Sequence, residues 1–442
     1  PDDEGYFVAA GVGFGFRRLS IIDLATGHQP MATEGGAHWI VFNGEVYNYL
    51  EIKEVLAQKG HRFRTTSDTE VILHAYQEYA ENCVQHFNGM FAFAIWDVSE
   101  RKLFLARDRI GIKPLYYWLD NEKIIFASEI KSLLQYQGMY AEATPEGIDM
   151  FMTFGYVTGE KTIFRNIRRL MPGHTLTVKD GTVYVQRYWH LDYNIDTSKS
   201  QEAHEAELEY RLKRAIKLRL RSDVPLGIFL SGGLDSSAVV GLLSSMVAEP
   251  LKTFSIGFEH GRKYNELNYA RLVSRHFGTE HYECILTPAE FQASIPDFIW
   301  YMDEPVTESA AISLYHVSKL AREHVTVVLS GEGADELFAG YTIYMYMLLL
   351  EHYRRLPASM RWLLNSLLKR MGYKWAKYAT FSELPLEKRY LGVSLYETHQ
   401  KDILYTDEFR LELAGTSPLD TIDTIYTQTC KWPPLNRMLA LD

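Results

Sequence analysis

Up to about Trp189, the chain is punctuated by short runs of aromatic and β-branched residues, each bounded by polar or turn residues. Examples are residues 39–42, 91–96, 103–106, 115–119 and 124–127. Such runs predict strands. Two segments interrupt them: 50–59 and 69–84 read as helices, the second with apolar positions at helical spacing. Between the runs 175–178 and 182–185, Lys179, Asp180 and Gly181 signal a hairpin. This half is therefore expected to be α+β and rich in antiparallel strands.

Residues 194–205 carry Asp, Ser, Lys and Gln around one large apolar residue, Ile195, as a solvated connection does. The expected domains are 1–193 and 206–442. From Ala206 onward strand and helix alternate: 226–230, 236–246, 253–258, 267–277 closed by Gly278, 282–286, then a helix over 310–322 and a strand over 325–329. That rhythm predicts a parallel sheet covered on both faces, with ligands beyond the carboxyl ends of its strands.

Of the 442 residues, 47% are hydrophobic and 23% charged, enough to bury the cores of two or three domains. A net charge of −10 gives no diffuse attraction for nucleic acid or an anionic membrane, so a phosphate-bearing ligand must be gripped locally. The longest strongly apolar stretch, 341–350, is too short for a bilayer and runs into Glu351 and His352. No signal peptide opens the chain. Cys83, Cys284 and Cys430 lie far apart, which suits idle thiols in a reducing cytoplasm.

The most informative stretch is Leu230, Ser231, Gly232, Gly233, Leu234, Asp235, Ser236 and Ser237. It follows an apolar strand and opens a helix, so its glycines let backbone N–H groups approach an anion at the positive helix end. The hydroxyls of Ser231, Ser236 and Ser237 add donors. A simpler alternative has Asp235 or Ser236 merely capping the helix. The pattern is not of the Walker type. It is similar to the phosphate loop of the ATP pyrophosphatase superfamily, which implies a grip on the phosphates that leave as pyrophosphate.

A second loop, Ser330, Gly331, Glu332, Gly333, Ala334, Asp335, Glu336, ends the strand over 325–329. The glycines around Glu332 leave its carboxylate uncrowded at a strand end. Three carboxylates within five residues, Glu332, Asp335 and Glu336, repel one another unless cations or donors meet them, and magnesium carried with ATP would do so. The alternative is acidic residues favoured by a helix N-terminus.

Together the two loops resemble the synthetase domain of class B asparagine synthetases. The N-terminal half agrees: Pro1 to Gly5, Arg18 to Leu24, Asn43 to Asn48, Ser67 to Glu70 and Ala106 to Tyr117 resemble that family's glutaminase domain. The resemblance implies an N-terminal-nucleophile amidotransferase of two stacked antiparallel sheets between helices, followed by an α/β parallel-sheet ATP-pyrophosphatase domain. It implies that Arg18 binds the carboxylate of glutamine, that Glu45 and Asp68 bind its ammonium, and that Asn43 and Gly44 form an oxyanion hole. In the second half it implies ATP held by residues 230–237 with Ser330 and Gly331, adenine against Ile256 and Gly257, Mg2+ near Asp235 and Asp335, and catalytic roles for Asp235 and Glu332.

The implied reaction is glutamine-dependent, ATP-driven amidation of aspartate through an acyl-adenylate. Its ligands are aspartate, glutamine or ammonia, and ATP, and a homodimer is compatible with it. The resemblance leaves a rival acceptor, a sugar acid or natural-product carboxylate, and a noncatalytic nucleotide-binding relative. Three departures stand out. Pro1 occupies the start where the family has a nucleophilic cysteine, so a first strand carrying it is expected upstream. A basic helical segment is expected beyond Asp442. Ser313 stands where the family usually has proline.

Overall fold

The computed structural model describes residues 1–120, 122–193, 195–260, 265–372, 379, 381–391, 395–396 and 398–442. Asn194, at the start of the expected connection, lies outside the described residues. By the density of its own contacts the chain forms two compact units. One comprises Pro1–Ala141, Asn166–Asp303 and Glu308–Ser330; the other comprises Glu142–Arg165, Glu304–Thr307 and Gly331–Asp442.

The first unit opens with a hairpin of β1 (Asp3–Ala9) and β2 (Val12–Arg18). A six-stranded antiparallel sheet follows, built from β3 (Met31–Ala32), β4 (His38–Val46), β5 (Gly89–Asp97), β6 (Lys102–Arg107), β10 (His174–Lys179) and β11 (Thr182–Arg187), in the order β11-β10-β6-β5-β4-β3. A three-stranded sheet sets β7 (Tyr116–Leu119) between β8 (Ile124–Ala127) and β9 (Ile167–Arg169).

Successive side chains of a strand point to opposite faces, and the large sheet uses both. Ile40, Phe42, Phe91, Phe93 and Phe104 pack with Leu56 of α1 (Tyr49–Gln58) and with Val71 and Ile72 of α2 (Asp68–Tyr79). Val41, Ala92, Ala94, Trp96 and Leu105 pack with Phe14 and Tyr117 of the smaller sheets. Covered on both sides, β5 buries nearly every residue. The expected antiparallel α+β half is present.

Differences are local. The helical pattern expected to reach residue 84 breaks at Ala80, whose φ of 48° starts a 3₁₀ turn over Ala80–His86 that keeps Cys83 and Val84 buried. The 179–181 signal is a two-residue turn with positive φ at Asp180 and Gly181 (50° and 73°), which matches the strand twist. The β1–β2 hairpin was not read from sequence, because its glycines (Gly5, Gly11, Gly13 and Gly15) and exposed Tyr6 and Val8 give no alternation.

The same unit holds a four-stranded parallel sheet, β14 (Glu280–Leu286), β13 (Lys252–Phe258), β12 (Leu226–Phe229) and β15 (Val327–Leu329), in that order. Ile228 and Leu230 face Ile216 of α5 (Gln201–Arg219), Val240 of α6 (Leu234–Ser244) and Ala270 of α7 (Leu267–Phe277). Phe254 on the opposite face meets Val317 and Ala321 of α9 (Ser309–Arg322), beside α8 (Pro288–Met302). The doubly covered parallel sheet matches expectation. Helix α5 begins inside the expected connection, where the Ser200 hydroxyl accepts from the Ala203 amide at 3.3 Å and caps it.

Two short helices lie between the halves of this description: α3 (Ile130–Leu133) in the first unit and α4 (Pro145–Phe154) in the second. The second unit continues with α10 (Ala334–Phe338), α11 (Thr342–Arg354) and further helices around Phe154, Tyr344, Met347, Tyr390, Ile422 and Met438. The apolar run 341–350 lies mostly in α11, and no helix among the described residues is long and apolar enough to cross a membrane.

Candidate functional site

The first cluster lies at the end of β2 and β4. Arg18 is buried and donates through one guanidinium nitrogen to the carbonyls of Ile22 and Asp23, each at 2.8 Å. Asp23, at φ 55°, accepts through its carboxylate from the Thr26 amide and hydroxyl (2.8 and 2.6 Å) and from the Thr66 amide (2.8 Å). Burial alone would raise its pKa, but those hydrogen bonds hold it down at about 2. Asp68, the first residue of α2, accepts from the Val46 amide at 3.0 Å, yet burial outweighs that donor and lifts its carboxyl to about 6.

Glu45 stands beside it. Burial, reinforced by the charge of Asp68, pushes its carboxyl up to about 9 against the opposing pull of Lys113 and Arg18. Its Oε2 is buried with no hydrogen-bond partner. An orphaned buried carboxyl oxygen is costly, and an ammonium group is the donor that would satisfy it. Arg18, Glu45 and Asp68 thus share one buried charge field.

Lys113 belongs to the same charge field and was given no role from sequence. Its loop is shaped by Asp108, whose carboxylate accepts from the amides of Ile110, Gly111, Ile112, Lys113 and Phe91 at 2.7 to 3.2 Å. Five donors on one carboxylate are legible only once the loop closes.

Asn43 and Gly44 sit in the middle of β4 opposite Ala92 and Phe91. Gly44 has φ 146°, and a Cβ there would clash with the Met90 carbonyl. The glycine is demanded by close backbone approach. The Asn43 amide donates to the Ser128 hydroxyl at 3.3 Å.

The second cluster joins β12 to α6. Gly232 takes φ 83°, and a Cβ on it would strike the backbone of Tyr269 and Ala270 at the start of α7. Gly233 is the N-cap of α6 without any side-chain cap, so neither Asp235 nor Ser236 fills the capping role weighed as the simpler alternative. The Ser231 and Ser236 hydroxyls lie 3.0 Å apart, and the Gly233 amide donates to Ser231 at 3.2 Å. Helix-end N–H groups and hydroxyls therefore converge beyond the carboxyl end of a central parallel strand. Leu230 is buried beneath them and Ser237 continues the helix, its amide bonding Gly233 at 3.1 Å.

On β13, Ile256 packs into the core under α9, while Gly257 faces Leu267, whose side chain occupies the space a Cβ would need. Core packing thus accounts for the glycine on its own. Ser330 follows β15 in the first unit.

Gly331 opens the second unit's part of the acidic loop. Gly333 takes φ 87° and caps α10; Glu336 accepts from the Tyr341 hydroxyl at 2.7 Å, and Asp335 turns towards Gly340. Among the described residues no group of three or more His, Cys, Asp or Glu side chains forms a metal site by itself, so a cation at this loop would have to bring phosphate oxygens with it.

Sheet, loop and buried charge cluster define a two-part protein: an amidotransferase-type domain ahead of a nucleotide-binding parallel-sheet domain. Residues 1–189 match the glutamine amidotransferase domain family and residues 207–442 the asparagine synthase family. The chain is 38% identical to asparagine synthetase [glutamine-hydrolyzing] 1 of Bacillus subtilis, over the whole of this chain and 69% of that protein. It is 35% identical to a putative asparagine synthetase [glutamine-hydrolyzing] of Mycobacterium tuberculosis, over the whole chain and 70% of the relative. A second putative enzyme of that name, from Methanocaldococcus jannaschii, is 34% identical over 93% of this chain and 81% of its own. The chain belongs to the asparagine synthase family.

Proposed function

We propose that the protein converts aspartate to asparagine with glutamine as nitrogen donor, consuming ATP and releasing AMP, pyrophosphate and glutamate. The observation that carries this is the 231–237 loop: a glycine-capped helix tip with two mutually hydrogen-bonded hydroxyls, Ser231 and Ser236, at the end of β12, in a chain of this family.

The roles follow from chemistry. An aspartate side-chain oxygen attacks the α-phosphorus of Mg-ATP, the bond to the β-phosphate breaks, and pyrophosphate leaves against Leu230, Ser231, Gly232, Gly233, Ser236 and Ser237. Ser330 and Gly331 contribute backbone amides. Asp235 and Asp335 would hold the magnesium that arrives with ATP, which would offset the charge of the leaving phosphates, and Ile256 and Gly257 would bound the adenine. Ammonia then attacks the acyl carbon, expels AMP and gives a proton to Glu332. Positioning and charge neutralisation supply most of the rate in such phosphoryl chemistry.

In the first half, Arg18 pairs with the glutamine carboxylate, and Glu45 and Asp68 take its ammonium, which also relieves the buried Glu45 oxygen. Asn43 and Gly44 face the developing oxyanion. The division of labour falls at 1–193 and 206–442.

The test is direct. Full-length protein given aspartate, ammonium and Mg-ATP should yield AMP, pyrophosphate and asparagine in equal amounts; ADP in place of AMP ends the adenylate proposal. Glu332→Gln should cut amide formation by about 100-fold or more and leave Mg-ATP binding intact.

A further inference from the structure

The loop between α5 and β12 touches the antiparallel half at two points, and one of them is the peptide that holds Arg18. The Asp223 amide donates to the Ile21 carbonyl at 3.0 Å, and the Asp223 carboxylate accepts from the Asp23 amide at 2.8 Å. Asp223 thereby clasps residues 21–23 from both sides. Within that peptide the Ile22 and Asp23 carbonyls take the Arg18 guanidinium, and the Asp23 carboxylate reaches Thr26 and also Thr66, which lies two positions before Asp68. One clasp therefore bears on the cation and on an anion of the amino-acid pocket.

On its other side Asp223 lies three residues before β12. That strand is paired to β13 and β15, and the Pro225 carbonyl accepts from Thr326 and Val327 at 3.1 and 3.3 Å. So short a strand, hydrogen-bonded along both edges, moves as a rigid body rather than bending. It ends at the phosphate loop. The neighbouring contact, Arg221 bidentate to Glu51 at 2.6 Å and bonded to the Tyr47 carbonyl, anchors the same loop without touching residues 21–23.

We infer that Asp223 is a positioning residue that couples the two binding sites: occupation of the 231–237 loop is passed through β12 and the Asp223 clasp to Arg18, so that nucleotide sets the affinity for the amino-acid donor. The inference rests on the functional reading above. Because coupling of this kind is reciprocal, donor binding must change nucleotide affinity by the same factor.

The measurement is a calorimetric titration of the full-length protein with glutamate, which carries the same α-carboxylate and ammonium as glutamine but undergoes no hydrolysis. It is done with and without saturating Mg-ATP, aspartate being withheld so that no chemistry occurs. A ratio of dissociation constants of about 5-fold or more is expected for coupled sites. Asp223→Ala should bring the ratio to within about 2-fold of unity, and Asp223→Asn, which keeps a carbonyl acceptor for the Asp23 amide, should preserve part of it. A wild-type ratio of one, or an undiminished ratio in Asp223→Ala, overturns the inference. Should the alanine variant not fold, amide exchange decides: Mg-ATP must change protection over residues 21–26 of the wild type, and unchanged exchange there overturns it equally. Failure of Mg-ATP to bind at all is a separate result, and it rejects the functional reading itself.

Discussion

The amino-acid pocket and the phosphate loop solve the same problem, holding a charged ligand, by opposite means. The pocket is made of buried side-chain charges: Glu45 and Asp68 are both raised by desolvation, and one Glu45 oxygen has no partner. The loop is made of backbone amides, glycines and hydroxyls at a helix tip. A side-chain site stores an unfavourable state until its ligand arrives; a backbone site does not. Titration and stability costs should therefore concentrate in the pocket, and steric intolerance in the loop.

Gly232→Ala offers the largest effect. A Cβ there meets the α7 backbone at a positive φ, so the loop must move, and Mg-ATP affinity should fall by about 10-fold or more, one lost charge-assisted contact being worth ~1.5–3 kcal/mol. Equal Mg-ATP affinity in the variant would show that the nucleotide is held elsewhere.

Glu45→Gln should weaken glutamate binding about 10-fold or more by removing an ammonium partner. The same change should raise the melting temperature of the ligand-free protein at pH 8, by roughly 2–4 °C for each kcal/mol of relieved burial. A variant that binds less well and also melts lower would remove the stored-cost account of the pocket.

The sign of the pH effect follows. The folded protein keeps the Glu45 proton to about pH 9, whereas the unfolded chain releases it near 4.5, so ligand-free stability should decline as pH rises through that window. Asp68 adds to the decline from 3.8 to about 6. Ligand binding needs the charged carboxylates, so glutamate affinity should rise from pH 6 to 8 with proton release, seen as a buffer-dependent binding enthalpy. Mg-ATP affinity should stay level above pH 7.5. The smallest effect is Ser200→Ala, a lost helix cap costing ~1 kcal/mol by denaturant titration, with no change at either site.

Much of the second half was legible because its signals are local. Apart from α8, which was not read from sequence, the strands and helices from Leu226 to Leu329 fall within a few residues of their apolar runs, and α7 from Leu267 to Phe277 coincides with its pattern, closed by Gly278 in a left-handed cap. The phosphate loop was readable for the same reason, its residues being consecutive. The pocket was readable only as a resemblance of scattered motifs, since Arg18, Glu45 and Asp68 are adjacent only after three elements pack. The need for glycine at residue 44 was not legible at all, because no local feature signals that its backbone must admit the Met90 carbonyl.

Periodicity and consecutive motifs, which depend on neighbours a few positions apart, determined the two kinds of sheet, the helices that cover them at residues 50–59, 236–246, 267–277 and 310–322, the phosphate loop and the family. Tertiary structure alone decided the unpaired oxygen of Glu45, the shared charge field of Arg18, Glu45 and Asp68, and the Asp223 clasp. Desolvation and hydrogen bonding between residues tens to hundreds of positions apart exist only once the chain has closed on itself.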